Sequence, residues 1–178
     1  MPFDISAFQS QLNISGVAKT SNYEVRVFGP DSDVSSQRDL TYRCASVNIP
    51  GRRVLTTEIT DFSLPRFAGY SSSVSDVNMT IILSEDLREK IYFEKWLDKI
   101  TGNYRVQTSD TMFDLAFYDD YAKGSTMEIY QFNDNGEQTR IHSLLELFPY
   151  DISDITTAWD DNSIMYLDVS FKYRFYRN

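Results

Sequence analysis

The sequence has 178 residues, of which 42% are hydrophobic and 15% aromatic, with Tyr and Phe at 12 each. That length suits one ordinary globular domain over residues 1–178, and the aromatic supply favours strands and contact surfaces over long helices. The formal charge of −9 argues against tight binding to a phosphate backbone, though not against a surface past which DNA slides without sticking.

Cys44 is the only cysteine, so no intrachain disulfide forms and no oxidising compartment is implied. The start, Met1-Pro2-Phe3-Asp4-Ile5-Ser6, has neither a basic leader nor an apolar run, so no secretory leader is expected. No stretch approaches the roughly 20 apolar residues of a membrane span. A soluble cytosolic product is the plain expectation.

In chain order, Asp4 to Leu12 predicts a short helix with Ile5, Phe8 and Leu12 on one stripe. Tyr23 to Phe28 alternates and predicts a strand, broken by Gly29-Pro30. The polar run Asp31 to Asp39 predicts a loop. Leu40 to Ile49 predicts a second strand, ended by a type II turn at Pro50-Gly51. Arg53 to Thr60 is β-branched and predicts local pairing or an arm. Asp61 to Ser73, with Pro65, Gly69 and three serines, predicts an irregular segment, so residues 50–73 read as an extended arm.

Asp76 to Leu83 predicts a strand, with Val77, Met79, Ile81 and Leu83 on one face. A helix is expected over residues 85–100, with Ser84 as N-cap and Gly102 as stop. Phe93, Trp96, Leu97 and Ile100 form its apolar stripe, while Leu87 and Ile91 point elsewhere and ask for a second surface. Asn103 to Tyr121 fits no element clearly. Ser125 to Asn133 and Glu137 to Phe148 predict a hairpin through Asp134-Asn135-Gly136, ended by Pro149. In the last strand Leu167, Val169, Phe171, Tyr173 and Phe175 alternate with polar residues. The sum is a mainly β fold of two packed antiparallel sheets, sandwich or barrel, with one flanking helix.

Chemistry-bearing patterns are sparse. His142, the single histidine, sits within a predicted strand, which points to a structural role. One His and one Cys do not make a metal site of the usual kind, and no Gly-rich phosphate loop is present. Asp119-Asp120 and Asp160-Asp161 read as solvated turn residues, because neighbours in an extended chain point to opposite sides. Asn133 to Glu137 lacks the 12-residue ligand pattern of a calcium loop. Trp96 reads as core. Trp159 reads equally as a cap on the sandwich or as a contact with a neighbour.

Four stretches resemble the tail tube proteins of T4-like contractile-tailed phages. They are Ser21 to Val27, Arg43 to Gly51, the strand-to-helix unit from Val77 to Gly102, and the ending. The ending is the most specific: Leu147-Phe148-Pro149-Tyr150-Asp151-Ile152-Ser153, then Ala158-Trp159-Asp160, then the aromatic final strand. Order and spacing match over most of the chain; Asp31 to Asp39 and Ser109 to Tyr121 depart from the pattern. The resemblance implies a tail-tube or Hcp-like fold and a structural virion protein, not an enzyme, without cofactor or metal.

Six copies would form a ring, one sheet from each joining a continuous inner barrel, and rings would stack into a tube for DNA ejection. Implied partners are further copies, the sheath, tape measure, baseplate and tail terminator proteins. DNA would pass through the lumen unbound, and the protein would be made in the host cytoplasm. Ring-to-ring contacts are expected from Phe3, Ile5 and Phe8 and from Arg52, Arg53, Leu55, Phe67 and Tyr70 of the arm. The sheet shared between chains is expected to use Leu167, Val169, Phe171, Tyr173 and Phe175. Deleting Arg52 to Tyr70 should leave a folded subunit that cannot polymerise. Within the same fold, a baseplate tube initiator and the effector tube of a contractile secretion system are the alternatives. Outside it stand a β-sandwich binding module with a cleft near Trp159, and an enzyme using Asp160, Asp161 or His142.

Overall fold

The computed structural model describes residues 5–6, 9–10, 16–30, 34–60, 64–101, 115–160 and 162–178. The elements are β1 (Tyr23–Phe28), α1 (Val34–Arg43), β2 (Cys44–Val47), β3 (Arg52–Ile59), β4 (Arg66–Val74), β5 (Val77–Ile82), α2 (Arg88–Thr101), α3 (Tyr118–Tyr121), β6 (Thr126–Phe132), β7 (Gln138–Leu145), β8 (Phe148–Ile152), β9 (Tyr166–Lys172) and β10 (Phe175–Arg177). Two four-stranded sheets have the orders β1-β6-β7-β10 and β2-β5-β9-β8, and β3-β4 is a separate pair. All pairings are antiparallel. The chain therefore has the mainly β, two-sheet class expected of it. Ile5, Ser6, Gln9 and Ser10 are helical; the rest of the expected Asp4–Leu12 helix lies outside the described residues.

Alternation along the strands fills one core. The first sheet contributes Val25, Val27, Met127, Ile129 and Leu144, and the second Val77, Met79, Ile81, Leu167, Val169 and Phe171. Each such side chain contributes about 1.5–3 kcal/mol on burial. From α2 come Phe93, edge-on to Phe171 at 5.8 Å, and Trp96, whose Nε1–H donates to the Tyr121 carbonyl at 3.0 Å. Trp96 is thus a core residue, as its stripe predicts. Gly29 lets the end of β1 pass α2, since a Cβ there would lie 2.3 Å from the Tyr92 hydroxyl and 2.8 Å from the Trp96 ring.

Several local expectations are corrected. Residues from Val34 onward are not a loop but α1, which continues through Leu40 to Arg43, so the second strand shrinks to Cys44–Val47. Gly51 has no positive φ, so Pro50-Gly51 is not a type II turn. The segment expected to be irregular holds β4, which pairs with β3 from Arg52 opposite Val74 to Ile59 opposite Arg66. Helix α2 starts at Arg88 rather than Glu85 because Ser84 does not cap it. The Ser84 hydroxyl donates to Glu89 at 2.7 Å, and Leu87 takes a left-handed φ of 52°. Leu87 packs on the core and Ile91 is exposed; Gly102 lies outside the described residues.

The hairpin through Asp134-Asn135-Gly136 forms as expected, with Gly136 at φ 78° and Asn133 Oδ1 accepting from the N–H groups of Asn135 and Glu137. Its second strand ends at Leu145, and Pro149 does not terminate it. A left-handed Glu146 turns the chain into β8 of the other sheet, where Pro149 occupies an edge strand. The last strand also switches sheets, β9 giving way to β10 at Tyr173-Arg174. Both switches share one corner: the Arg174 N–H donates to the Leu145 carbonyl at 3.2 Å, and its guanidinium pairs with Glu146 at 3.1 Å.

Two buried ionisable groups give the fold a pH dependence. The His142 Nδ1 lies 2.6 Å from the Tyr176 hydroxyl, and Nε2 faces Gln131 at 3.4 Å. Burial first, then the Arg140 charge, lower its pKa below 6.5. Glu89 is buried beside Arg43 at 3.2 Å. Burial pushes its pKa up, but the hydrogen bonds from Ser84 and the Arg43 charge outweigh that and hold it below 4.5. Both groups bind protons less readily when folded, so both contributions are present at neutral pH and lost as pH falls. His142 acts below about pH 6.5 and Glu89 below about pH 4.5. Urea unfolding of the monomer should show stability falling between about pH 7.5 and about pH 5.5, and His142→Gln should flatten that slope. An unchanged slope would remove His142 as its source.

Candidate functional site

The β3–β4 hairpin stands apart from the sandwich. Its strands pair with each other and with no other element extensively, and none of its described side chains belongs to the core cluster. At 3.3 Å per residue its strands reach roughly 25–30 Å. The alternation places Arg52, Val54, Glu58, Phe67 and Val74 on one face, and Arg53, Leu55, Ile59, Arg66 and Ala68 on the other. Phe67 is 72% and Tyr70 66% exposed, Tyr70 at the register shift between Leu55 and Thr56. A Cβ on Gly69 would lie 2.9 Å from Val54, so glycine allows the two strands to close there. Its base is fixed by the Ser75 N–H to the Gly51 carbonyl at 3.1 Å and the Gly51 N–H to Ser75 Oγ at 2.8 Å.

Arg52, Arg53, Leu55, Phe67 and Tyr70, the expected arm contacts, therefore share one projecting hairpin. All are exposed except Leu55, which is half-buried. Ile5 is exposed, while Phe3 and Phe8 lie outside the described residues. The expected inter-chain set divides. Leu167, Val169 and Phe171 are fully buried in their own subunit, and β9 is paired on both sides, with β5 and β8. Tyr173 is half-buried, donating its hydroxyl to the Ser75 carbonyl at 3.0 Å, and Phe175 is exposed. The outermost strands are β1 and β10 in one sheet and β2 and β8 in the other. β2 and β8 each carry a register shift in their pairing with the inner strands, and β1 runs regularly against β6 with α1 packed beside it.

A second exposed surface lies in the loop between β8 and β9. Trp159 is fully exposed there, with Ile164, Met165 and Tyr166 following. Trp159 therefore does not cap the sandwich. The sequence marks it by an aromatic between Ala158 and Asp160, but nothing in its spacing tells a cap from a contact.

The carboxylate pairs behave as surface groups: Asp119 pairs with Lys123 at 2.8 Å, Asp120 and Asp160 are exposed, and Asp161 lies outside the described residues. Burial pushes the Cys44 thiol up to about 11, which keeps it protonated. Among the described residues there is no group of three or more His, Cys, Asp or Glu placed to hold a metal, and no helix long and apolar enough to cross a membrane.

A sandwich that covers its own core yet projects an apolar, arginine-bearing hairpin defines the class of β-rich assembly subunits. The chain belongs to the phage tail tube protein family, whose model matches residues 5–178. It is a structural component of the phage tail and not an enzyme.

Solved structures share the fold. A chain of the extracellular contractile injection system PVC, in its extended sheath–tube complex, matches at TM-score 0.62 and 13% identity, over 94% of this chain and 95% of that one. A chain of the anti-feeding prophage tube-terminating cap matches at 0.62 and 12%, over 90% and 89%. A chain of the anti-feeding prophage baseplate matches at 0.61 and 9%, over 90% and 94%. No curated protein matches by sequence.

Proposed function

We propose that the whole chain acts as one tail-tube domain that forms homo-hexameric rings, stacked into the inner tube of a T4-like contractile tail. DNA crosses the lumen during ejection without specific binding. The observation that carries this reading is the β3–β4 hairpin, an exposed apolar structure with no role in its own subunit's core. Closing strands around a ring removes sheet edges, and the outermost β1, β10, β2 and β8 are the candidates. A head-to-tail ring surface leaves top and bottom complementary, so rings stack.

The outer face of the second sheet suits the lumen. It presents Asn78, Thr80, Asp168 and Ser170, and its one lysine, Lys172, is held by Asp76 at 2.7 Å. Such a wall repels DNA phosphates and lets the polymer move. The outer wall meets the sheath, the tube ends meet baseplate and terminator proteins, and the tape measure protein fills the lumen during assembly in the host cytoplasm. Relatives in fold occur in the sheath–tube complex of PVC and in the cap and baseplate of the anti-feeding prophage, which supports these partners. The same relatives favour a second reading, the tube of a contractile injection system. Isolation of the native particle separates the two, since a phage tail carries a DNA-filled head. Electron microscopy of the purified chain at high concentration is the direct test. Rings or tubes are expected, with the Asp168 face toward the channel; a protein that stays monomeric sinks the proposal.

A further inference from the structure

The hairpin and the Trp159 loop leave the second sheet at opposite ends. Val47 lies near Met79, Val77 opposite Phe171, and Phe148 opposite Lys172, so the end of β2, the start of β5, the end of β9 and the start of β8 gather at one pole. Cys44 opposite Ile81, Ile82 opposite Tyr166, and Ile152 opposite Val169 gather at the other. The β3–β4 hairpin runs between β2 and β5, and so springs from the first pole. The loop joining β8 to β9 springs from the second.

The two surfaces are complementary in chemistry. From Gly51 to Ser75 the sequence carries Arg52, Arg53 and Arg66 against Glu58 and Asp61, a basic excess in a chain of net charge −9. From Ser153 to Met165 it carries Asp154, Asp160 and Asp161 and no basic residue. Both are also apolar and exposed: Val54, Leu64, Phe67 and Tyr70 on the hairpin, and Trp159, Ile164 and Met165 on the loop. Binding surfaces with opposite charge at opposite poles select a head-to-tail contact and disfavour a symmetric one, because like poles repel.

We propose that the hairpin of one copy docks on the Trp159 loop of a copy in the next ring. This rests on the tail-tube reading and specifies which surface receives the hairpin. Trp159, fully exposed beside Asp160 in an acidic loop, is the anchor that meets the hairpin's arginines and aromatics.

The test uses the full chain. Trp159→Ala removes a side chain that is fully exposed, so the monomer's thermal midpoint should not move. The concentration needed for pelletable tubes should rise about tenfold or more, with single rings left in the micrographs. Trp159→Phe should recover most of the assembly, and Asp160→Arg should lose it while the fold stays intact. Normal tubes from both Trp159→Ala and Asp160→Arg would overturn the docking. So would loss of the rings themselves, which would make the loop a lateral contact within a ring while leaving the tube reading in place. A wild-type chain that forms neither rings nor tubes would instead overturn the tube reading, and this inference with it.

Discussion

Replacing Arg52–Val74 by Asn-Gly should yield a folded subunit that forms no tubes at any concentration at which the parent polymerises. The base of the hairpin is already closed, since Gly51 and Ser75 exchange hydrogen bonds at 3.1 Å and 2.8 Å. A two-residue type I′ turn spans such a pair without strain. Among the described residues between Arg52 and Val74 none belongs to the core, so the deletion leaves the sandwich packing in place. It does remove Val54, Leu64, Phe67, Tyr70 and Val74, the exposed apolar side chains that have no purpose in an isolated monomer. Circular dichroism and a thermal melt close to the parent's, together with an empty pellet after ultracentrifugation, are the expected readings. Pelleted tubes of ordinary length would show that the hairpin is dispensable. An unfolded product would show that it supports the fold, against the separation seen here.

Phe171→Ala should act on the monomer. Phe171 is fully buried, edge-on to Phe93 and shut in by two flanking strands. Truncating such a residue costs about 3–5 kcal/mol, through lost transfer energy and the cavity left behind. In a chain of this size that is a large part of the total stability. Urea unfolding under non-assembling conditions should therefore shift strongly. An unshifted midpoint with failed assembly would return Phe171 to the interface between subunits.

The contrast between these two variants follows what the sequence could and could not convey. Alternation from Leu167 to Phe175 correctly marks β-structure, and Leu167, Val169 and Phe171 do share one face. Period-two patterning does not say whether that face meets the chain's own second sheet or another chain's. Nor does it reveal that the strand changes sheets at Tyr173, after which the even-numbered Tyr176, not Phe175, turns toward His142. In α1, Leu40 is buried within the mostly polar run Gln37 to Arg43, too little for a helical stripe to register. β4 was obscured by Gly69 and three serines, residues that normally punctuate loops. Exposure on both faces explains them: a strand with no core to cover needs no apolar alternation. By contrast, Asp134-Asn135-Gly136 and the Phe93–Trp96 stripe were legible, because each has one local physical cause, a positive φ or a single buried helix side.

The shared corner at Glu146 and Arg174 has a mechanical meaning. Two segments of covalent chain pass between the layers at the same place, laced by the Leu145 carbonyl and an ion pair. There the layers cannot slip past each other by trading van der Waals contacts alone. Shear must first stretch backbone, so the sandwich is pinned on that side, as a cylinder loaded along its axis requires of its bricks.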